Sequence, residues 1–112
     1  MDIRAINDEY SVSGQITVED LDTIAALGFK SIVCHRPDHE EAGQPEFSAI
    51  AARAKELGVE SAHVPVGPMG VTVEAVNGMV DALDELPRPM LGYCRSGMRS
   101  TKTYEQTQHI RG

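Results

Sequence analysis

The chain has 112 residues, 41% of them hydrophobic and 24% charged, the balance of one globular domain rather than a disordered or multidomain chain. With 17 acidic and 10 basic residues its net charge is −7, which argues against nucleic-acid and anionic-membrane partners, since both need a basic face. No apolar run approaches the roughly 18 residues of a membrane span. Met1–Tyr10, with Asp2, Arg4, Asp8 and Glu9, has neither the basic start nor the apolar stretch of a secretory signal. Two cysteines in such a chain predict a reducing, cytoplasmic setting in which thiols do chemistry.

In chain order, Tyr10–Val12 reads as a short edge strand, followed by a turn at Ser13 and Gly14. Thr17 with Asp20 three residues on makes a capping box of the Asp kind. Val18, Leu21, Ile24, Ala25 and Leu27 then recur at helical spacing until Gly28 stops the helix. Lys30–Cys34 (KSIVC) is a β-branched run and reads as a strand. His35–Gln44 is a polar loop holding Pro37 and Gly43. Pro45 opens a second helix, with Phe47, Ile50, Ala51, Ala54 and Leu57 as its stripe and Gly58 as its end. Val59–Val64 is the next strand, and Pro65, Gly67, Pro68 and Gly70 make a stiff loop. Thr72 caps a third helix carrying Val73, Val76, Val80 and Leu83, with Pro87 and Pro89 at its end. Met90–Tyr93 (MLGY) reads as a buried strand, Cys94–Arg99 as a loop, and a last helix is expected from Ser100.

This alternation predicts a single α/β domain over residues 1–112, in three layers (α/β/α) around a mostly parallel sheet. Right-handed crossovers place the carboxyl ends of its strands on one rim, where ligands bind. Three loops should meet there: His35–Gln44, Pro65–Gly70 and Cys94–Arg99.

The last of these reads Cys94, Arg95, Ser96, Gly97, Met98, Arg99, Ser100. A helix amino terminus offers unpaired N–H groups and partial positive charge, which stabilise a thiolate. Gly97 lets the backbone curl into an anion-binding nest of N–H groups from Arg95, Ser96, Gly97 and Met98. Arg99 can grip two oxygens of an anion, and Ser100 can donate to the thiolate. In an acidic chain this local basic spot, with Arg36 in a neighbouring loop, points to a small anionic substrate.

The loop resembles that of rhodanese-type sulfurtransferases, which place four residues between Cys and Arg. It also resembles that of cysteine-dependent phosphatases, which usually place five there and a His before the Cys. Here there are four, and Tyr93 stands in the His position. Across the chain, Ser11–Gln15 (SVSGQ), Gly28–Lys30 (GFK), Arg36–Asp38 (RPD), Gly43–Pro45 (GQP) and His63–Val66 (HVPV) resemble the phosphatase-like domain family of beta-lactamase hydrolase-like proteins. That resemblance implies a dual-specificity-phosphatase-like fold, Cys94 as nucleophile and Arg99 as anion clamp, with no cofactor. Some members of the family are described as sulfur transferases.

Around this centre, Asp38 is the first candidate for a general acid and His63 the second. Glu40 and Glu41 read as solvated loop acids, and Arg36 either as a supplement to Arg99 or as the partner of Asp38 or Glu40 in a rim ion pair. His35 and His39 lie near Cys34, Asp38 and Glu40, but in a loop without a second paired motif, so no metal site is expected. Cys34 ends a strand as Cys94 follows one, so it is a candidate redox partner. Thr101–Gly112 (TKTYEQTQHIRG) is too polar for a helix packed on a sheet. It is expected to be short, frayed or completed by a partner copy, which leaves a homo-oligomer open. Three functions fit these residues: phosphomonoester hydrolysis through a phosphocysteine, sulfur transfer from a sulfane sulfur donor through a Cys94 persulfide, and non-catalytic anion binding.

Overall fold

A computed structural model describes residues 1–111. Its sheet has five strands: β1 (Arg4–Ala5), β2 (Tyr10–Ser13), β3 (Ser31–Cys34), β4 (Glu60–His63) and β5 (Met90–Tyr93). Their order is β1-β2-β5-β3-β4. β1 runs antiparallel to β2, and the other pairings are parallel. The sheet separates α1 (Asp20–Ala26) and α2 (Phe47–Glu56) from α3 (Val73–Glu85) and α4 (Met98–Arg111), the three layers expected.

Alternation along the strands divides the core in two. Ile32, Leu91 and Tyr93 pack with Leu21 and Ile24 of α1 and Ile50 of α2. Val12, Val33 and Met90 pack with Met79 and Leu83 of α3 and Tyr104 of α4. β2 is not the edge strand expected. All four of its residues are buried, because the exposed two-residue β1 covers its outer side. So short a strand, with its charged Arg4, has no hydrophobic alternation to betray it.

The helix signals held with small shifts. The Thr17–Asp20 box forms as drawn: the Asp20 N–H donates to Thr17 Oγ1 at 3.2 Å, and the Thr17 N–H to Asp20 Oδ2 at 2.9 Å. It closes a turn just before α1 rather than the helix itself. Pro45 stands two residues ahead of α2, whose first N–H, that of Phe47, is accepted by Asp38 Oδ1 at 2.8 Å. Thr72 caps α3 through the Ala75 N–H at 3.1 Å. The face that α3 buries is Ala75, Val76, Met79, Ala82 and Leu83, while Val73 is exposed.

α4 is the larger correction. It is a fourteen-residue helix starting at Met98 rather than a short one, and only Gly112 of its predicted span lies outside the described residues. Its buried face is Ser100, Thr103, Tyr104 and Thr107. The threonines bury methyl groups while their hydroxyls bond back to the helix: Thr101 Oγ1 donates to the Gly97 carbonyl at 2.9 Å, Thr103 Oγ1 to Arg99 at 2.7 Å, and Thr107 Oγ1 to Tyr104 at 2.6 Å. A face satisfied this way packs on apolar neighbours without reading as apolar.

Tyr10 ties this helix to the sheet. Its ring stacks on Tyr104 with centroids 4.2 Å apart, and its hydroxyl donates to the Ser100 carbonyl at 3.1 Å. Gly92 makes room for it, since a Cβ there would overlap the Tyr10 hydroxyl. The glycine that weakens MLGY as a strand is thus a packing requirement of its neighbour.

Candidate active site at the carboxyl rim of the sheet

The loop Cys94–Gly97 leaves β5 and enters α4 at its first turn. Its carbonyls are drawn outward. Arg95 O accepts from the Gln15 N–H at 3.4 Å, Ser96 O from Arg4 at 3.3 Å, and Gly97 O from the Thr101 N–H at 3.0 Å and from its hydroxyl. Gly97 adopts φ +93°, where a side chain would be strained and would press on Arg4 and the Ser13 carbonyl. With the carbonyls held outside, N–H groups turn inward, and that of Gly97 donates to Cys94 Sγ at 3.0 Å.

Cys94 is fully buried beneath this loop. Burial pushes its thiol up, but the polar hydrogens of Ser100, Ser96 and Gly97 around the sulfur outweigh that and hold it below the ordinary range. The Ser100 hydroxyl beside it is fully buried and has no hydrogen-bond partner. Ser96 and Met98 close the turn, with the Met98 N–H donating to Ser96 Oγ at 3.3 Å, and both side chains are exposed.

Arg99 lies in the first turn of α4, not in the loop. Its Nη1 donates to Glu40 Oε2 at 2.8 Å and to the Val66 carbonyl at 2.7 Å, and its Nη2 to Glu40 Oε1 at 2.8 Å. The guanidinium also bears on the Cys94 sulfur. Glu40 is therefore no solvated loop acid. It takes a further bond from Arg36 Nε at 2.8 Å, and the Arg99 bonds, followed by those of Arg36, hold its carboxyl at about 2, far below the usual range. The Arg36–Glu40 pair is one of those expected for Arg36, whereas the tie to Arg99, 59 residues away, has no local signal.

Arg36 is buried in the wall rather than presented to the cleft. Besides Glu40 it holds Gln15 Oε1 at 3.0 Å and lies 3.5 Å from Glu41. Arg95 is exposed, 3.9 Å from Glu41. Asp38 is spent on the α2 amino terminus, and His63 donates Nε2–H to the Arg36 carbonyl at 2.9 Å and stacks on Phe47. Both acid candidates thus brace the neighbouring helix and loop. His35 is fully buried beside the site. Its Nδ1 lies 2.8 Å from the Val64 carbonyl and so carries the proton, which leaves Nε2 an acceptor without a partner. Burial first, and the nearby His63 and Arg99, lower its pKa to about 4 despite that hydrogen bond.

Cys34 and Cys94 share the rim, as expected, and both are free thiols. Cys34 packs with Ile32 and Tyr93 on the α1–α2 side, donates its S–H to the Arg36 carbonyl at 3.3 Å, and is pushed up by burial. Cys94 follows Tyr93 directly, so alternation sends its side chain to the opposite face. A cleft of about 420 Å³ opens beside the Cys94 loop, lined by Glu40, Gly67, Pro68, Arg95, Arg99 and Lys102 among others. Among the described residues no three His, Cys, Asp or Glu side chains converge to hold a metal, and no helix is long and apolar enough to cross a membrane.

Residues 2–110 match the model of the phosphatase-like domain of beta-lactamase hydrolase-like proteins. A beta-lactamase hydrolase-like protein of Xylella fastidiosa (strain Temecula1) is 31% identical over 112 residues, 100% of this chain and 26% of the relative. The chain spans about a quarter of the length of the curated relatives it matches. Among solved structures, a candidate phosphatase of Neisseria meningitidis is 32% identical with a TM-score of 0.87, covering 100% of this chain and 80% of that one. The core catalytic domain of the PP-IP phosphatase of S. cerevisiae shares the fold at a TM-score of 0.65, with 15% identity over 96% of this chain and 74% of its own. The fold is the dual-specificity-phosphatase-like one expected.

Proposed function

Because the chain belongs to the family of phosphatase-like domains of beta-lactamase hydrolase-like proteins, we propose that it is a cysteine-dependent phosphatase acting on small phosphate-bearing anions. One observation carries the reading: a thiol held below its ordinary range by inward N–H groups, with a tethered arginine against it. The Cys94 thiolate attacks phosphorus, and the S–P bond forms as the P–O bond to the leaving group breaks. The loop N–H groups and Arg99 stabilise the equatorial oxygens. Glu40 and Val66 hold Arg99 by the Nη1–Nη2 end, which leaves Nε–H and one Nη2–H for the anion. Water then attacks the phosphocysteine, the S–P bond breaks, and phosphate leaves as the thiolate is restored. Ser100, whose buried hydroxyl has no partner in the resting site, turns to stabilise the departing sulfur. Two buried free thiols fit a reducing, cytoplasmic setting.

Sulfur transfer is the second reading, favoured by the four residues between Cys94 and Arg99 and by needing no general acid. The thiolate would attack the outer sulfur of a donor such as thiosulfate, breaking the donor's S–S bond and releasing sulfite, and the Cys94 persulfide would then give that sulfur to a thiol or cyanide and return to the thiolate. The two are separated by turnover of p-nitrophenyl phosphate with Cys94→Ser as blank. Hydrolysis that vanishes in the variant supports the phosphatase. No hydrolysis above the blank, together with one added sulfur on Cys94 after thiosulfate, replaces it with the transferase. Phosphate binding without either reaction leaves a binding domain.

A further inference from the structure

The geometry points to phosphoanhydrides as the substrate class, compounds whose leaving group departs as a stabilised anion without being protonated. This rests on the phosphatase reading and narrows it.

An alkyl phosphoester needs an acid, because an alkoxide is too basic to leave unprotonated. Among the described residues lining the cleft, Glu40 is the sole carboxylate. It is held by three guanidinium hydrogen bonds from Arg99 and Arg36, and so has no proton to give at neutral pH. Asp38 does not line the cleft and accepts the α2 N–H of Phe47. His35 has its one N–H committed to the Val64 carbonyl, and His63 directs Nε2–H to the Arg36 carbonyl. The loop after β4, whose Val66 carbonyl binds Arg99, contributes Gly67, Pro68, Gly70 and Val71 to the cleft, none with an acidic side chain.

What the cleft offers instead is positive charge. Lys102 lies one helical turn beyond Arg99, and both line the cleft with Arg95. Lys102 and Arg95 are exposed, and Lys102 makes no ion pair among the described residues. A leaving group that is itself a phosphate would depart onto these cations. In the first step the Cys94 sulfur bonds to the terminal phosphorus, and the bridging P–O bond breaks with its electron pair going to the leaving phosphate. In the second, water adds to phosphorus, its protons end on the released phosphate and solvent, and the thiolate is regenerated. No redox partner is required.

The test compares kcat/KM for inorganic pyrophosphate, p-nitrophenyl phosphate, phenyl phosphate and β-glycerophosphate, with Cys94→Ser as blank. The expected result is turnover of pyrophosphate, a fall of about 100-fold from p-nitrophenyl to phenyl phosphate, the size of an absent acid, and no turnover of β-glycerophosphate. Lys102→Ala and Arg95→Ala should each lower the pyrophosphate value on the order of tenfold and more than the p-nitrophenyl value. Cys94-dependent hydrolysis of the two aryl esters within about tenfold of each other, or turnover of β-glycerophosphate, overturns the inference and leaves the cysteine phosphatase standing. Turnover of the aryl esters without turnover of pyrophosphate also overturns it. Loss of Cys94-dependent hydrolysis for all four substrates removes the phosphatase reading and the inference together.

Discussion

Replacing Glu40 by glutamine keeps the shape of the side chain and removes the charge that Arg36 and Arg99 share. The carboxylate takes three bonds of 2.8 Å from the two guanidiniums, and the Arg36 side chain is only 3% exposed against 20% for Glu40. Glutamine offers one acceptor oxygen and turns an NH₂ toward donors. Moving a carboxyl from 4.5 to about 2 corresponds to ~3 kcal/mol unscreened. Solvent at this rim reduces that to about 1–2 kcal/mol. At pH 7 the carboxylate is ionised folded and unfolded, so the whole contribution is present. As pH falls below 4.5 the unfolded chain takes up the proton first, and the contribution is gone near pH 2. Urea denaturation of both proteins at pH 7 should show the wild type ahead by that amount, with the gap narrowing at pH 4 and again at pH 3. An equal stability at pH 7, or a gap that does not change from pH 7 to pH 3, refutes the reasoning. In the same variant Arg99 loses its tether, so kcat/KM for p-nitrophenyl phosphate should fall by about 10- to 100-fold.

Two other expectations concern groups that pack against the site. Gly92→Ala should cost about 2–3 kcal/mol in urea denaturation, because the new methyl meets the Tyr10 hydroxyl. Tyr10→Phe in the same chain should recover part of that loss, and no recovery would mean that the overlap lies elsewhere. His35, lowered to about 4, should make the fold lose stability as pH drops from 6.5, where the unfolded imidazole charges, down to about 4, by ~3 kcal/mol in all. His35→Asn should flatten that stretch of the stability–pH curve, and an unchanged slope would show that His35 does not titrate as its burial requires.

The strand–helix alternation, the Thr17 and Thr72 caps and the Cys94–Ser100 loop were readable because each is a local pattern with a local cause. The Arg99–Glu40 tie is not of that kind, since the two residues stand 59 apart and no periodicity links their loops. Nothing local shows that the chain turns Asp38 back onto the Phe47 N–H nine residues on. β1 escaped notice because two residues cannot show alternation, and its presence moved β2 from edge to interior. α4 was misjudged for another reason: hydropathy counts the hydroxyl of a threonine, whereas packing counts the methyl once that hydroxyl is bonded to its own helix.

The threonines of α4 also set a limit on how this protein can be improved. By propensity alone, alanine or leucine at positions 101 and 103 would make a better helix. Yet Thr101 and Thr103 hold the carbonyls of Gly97 and Arg99, the residues on which the inward turn of the loop depends. Without the hydroxyls each carbonyl would keep only its backbone bonds, as Gly97 O keeps the Thr101 N–H, and the first turn that aims the donors around Cys94 would be held less firmly. Selection for heat resistance should therefore accumulate changes in α1, α2 and α3 and spare these two hydroxyls. A library in which they are lost first would yield a sturdier protein with a less acidic thiol.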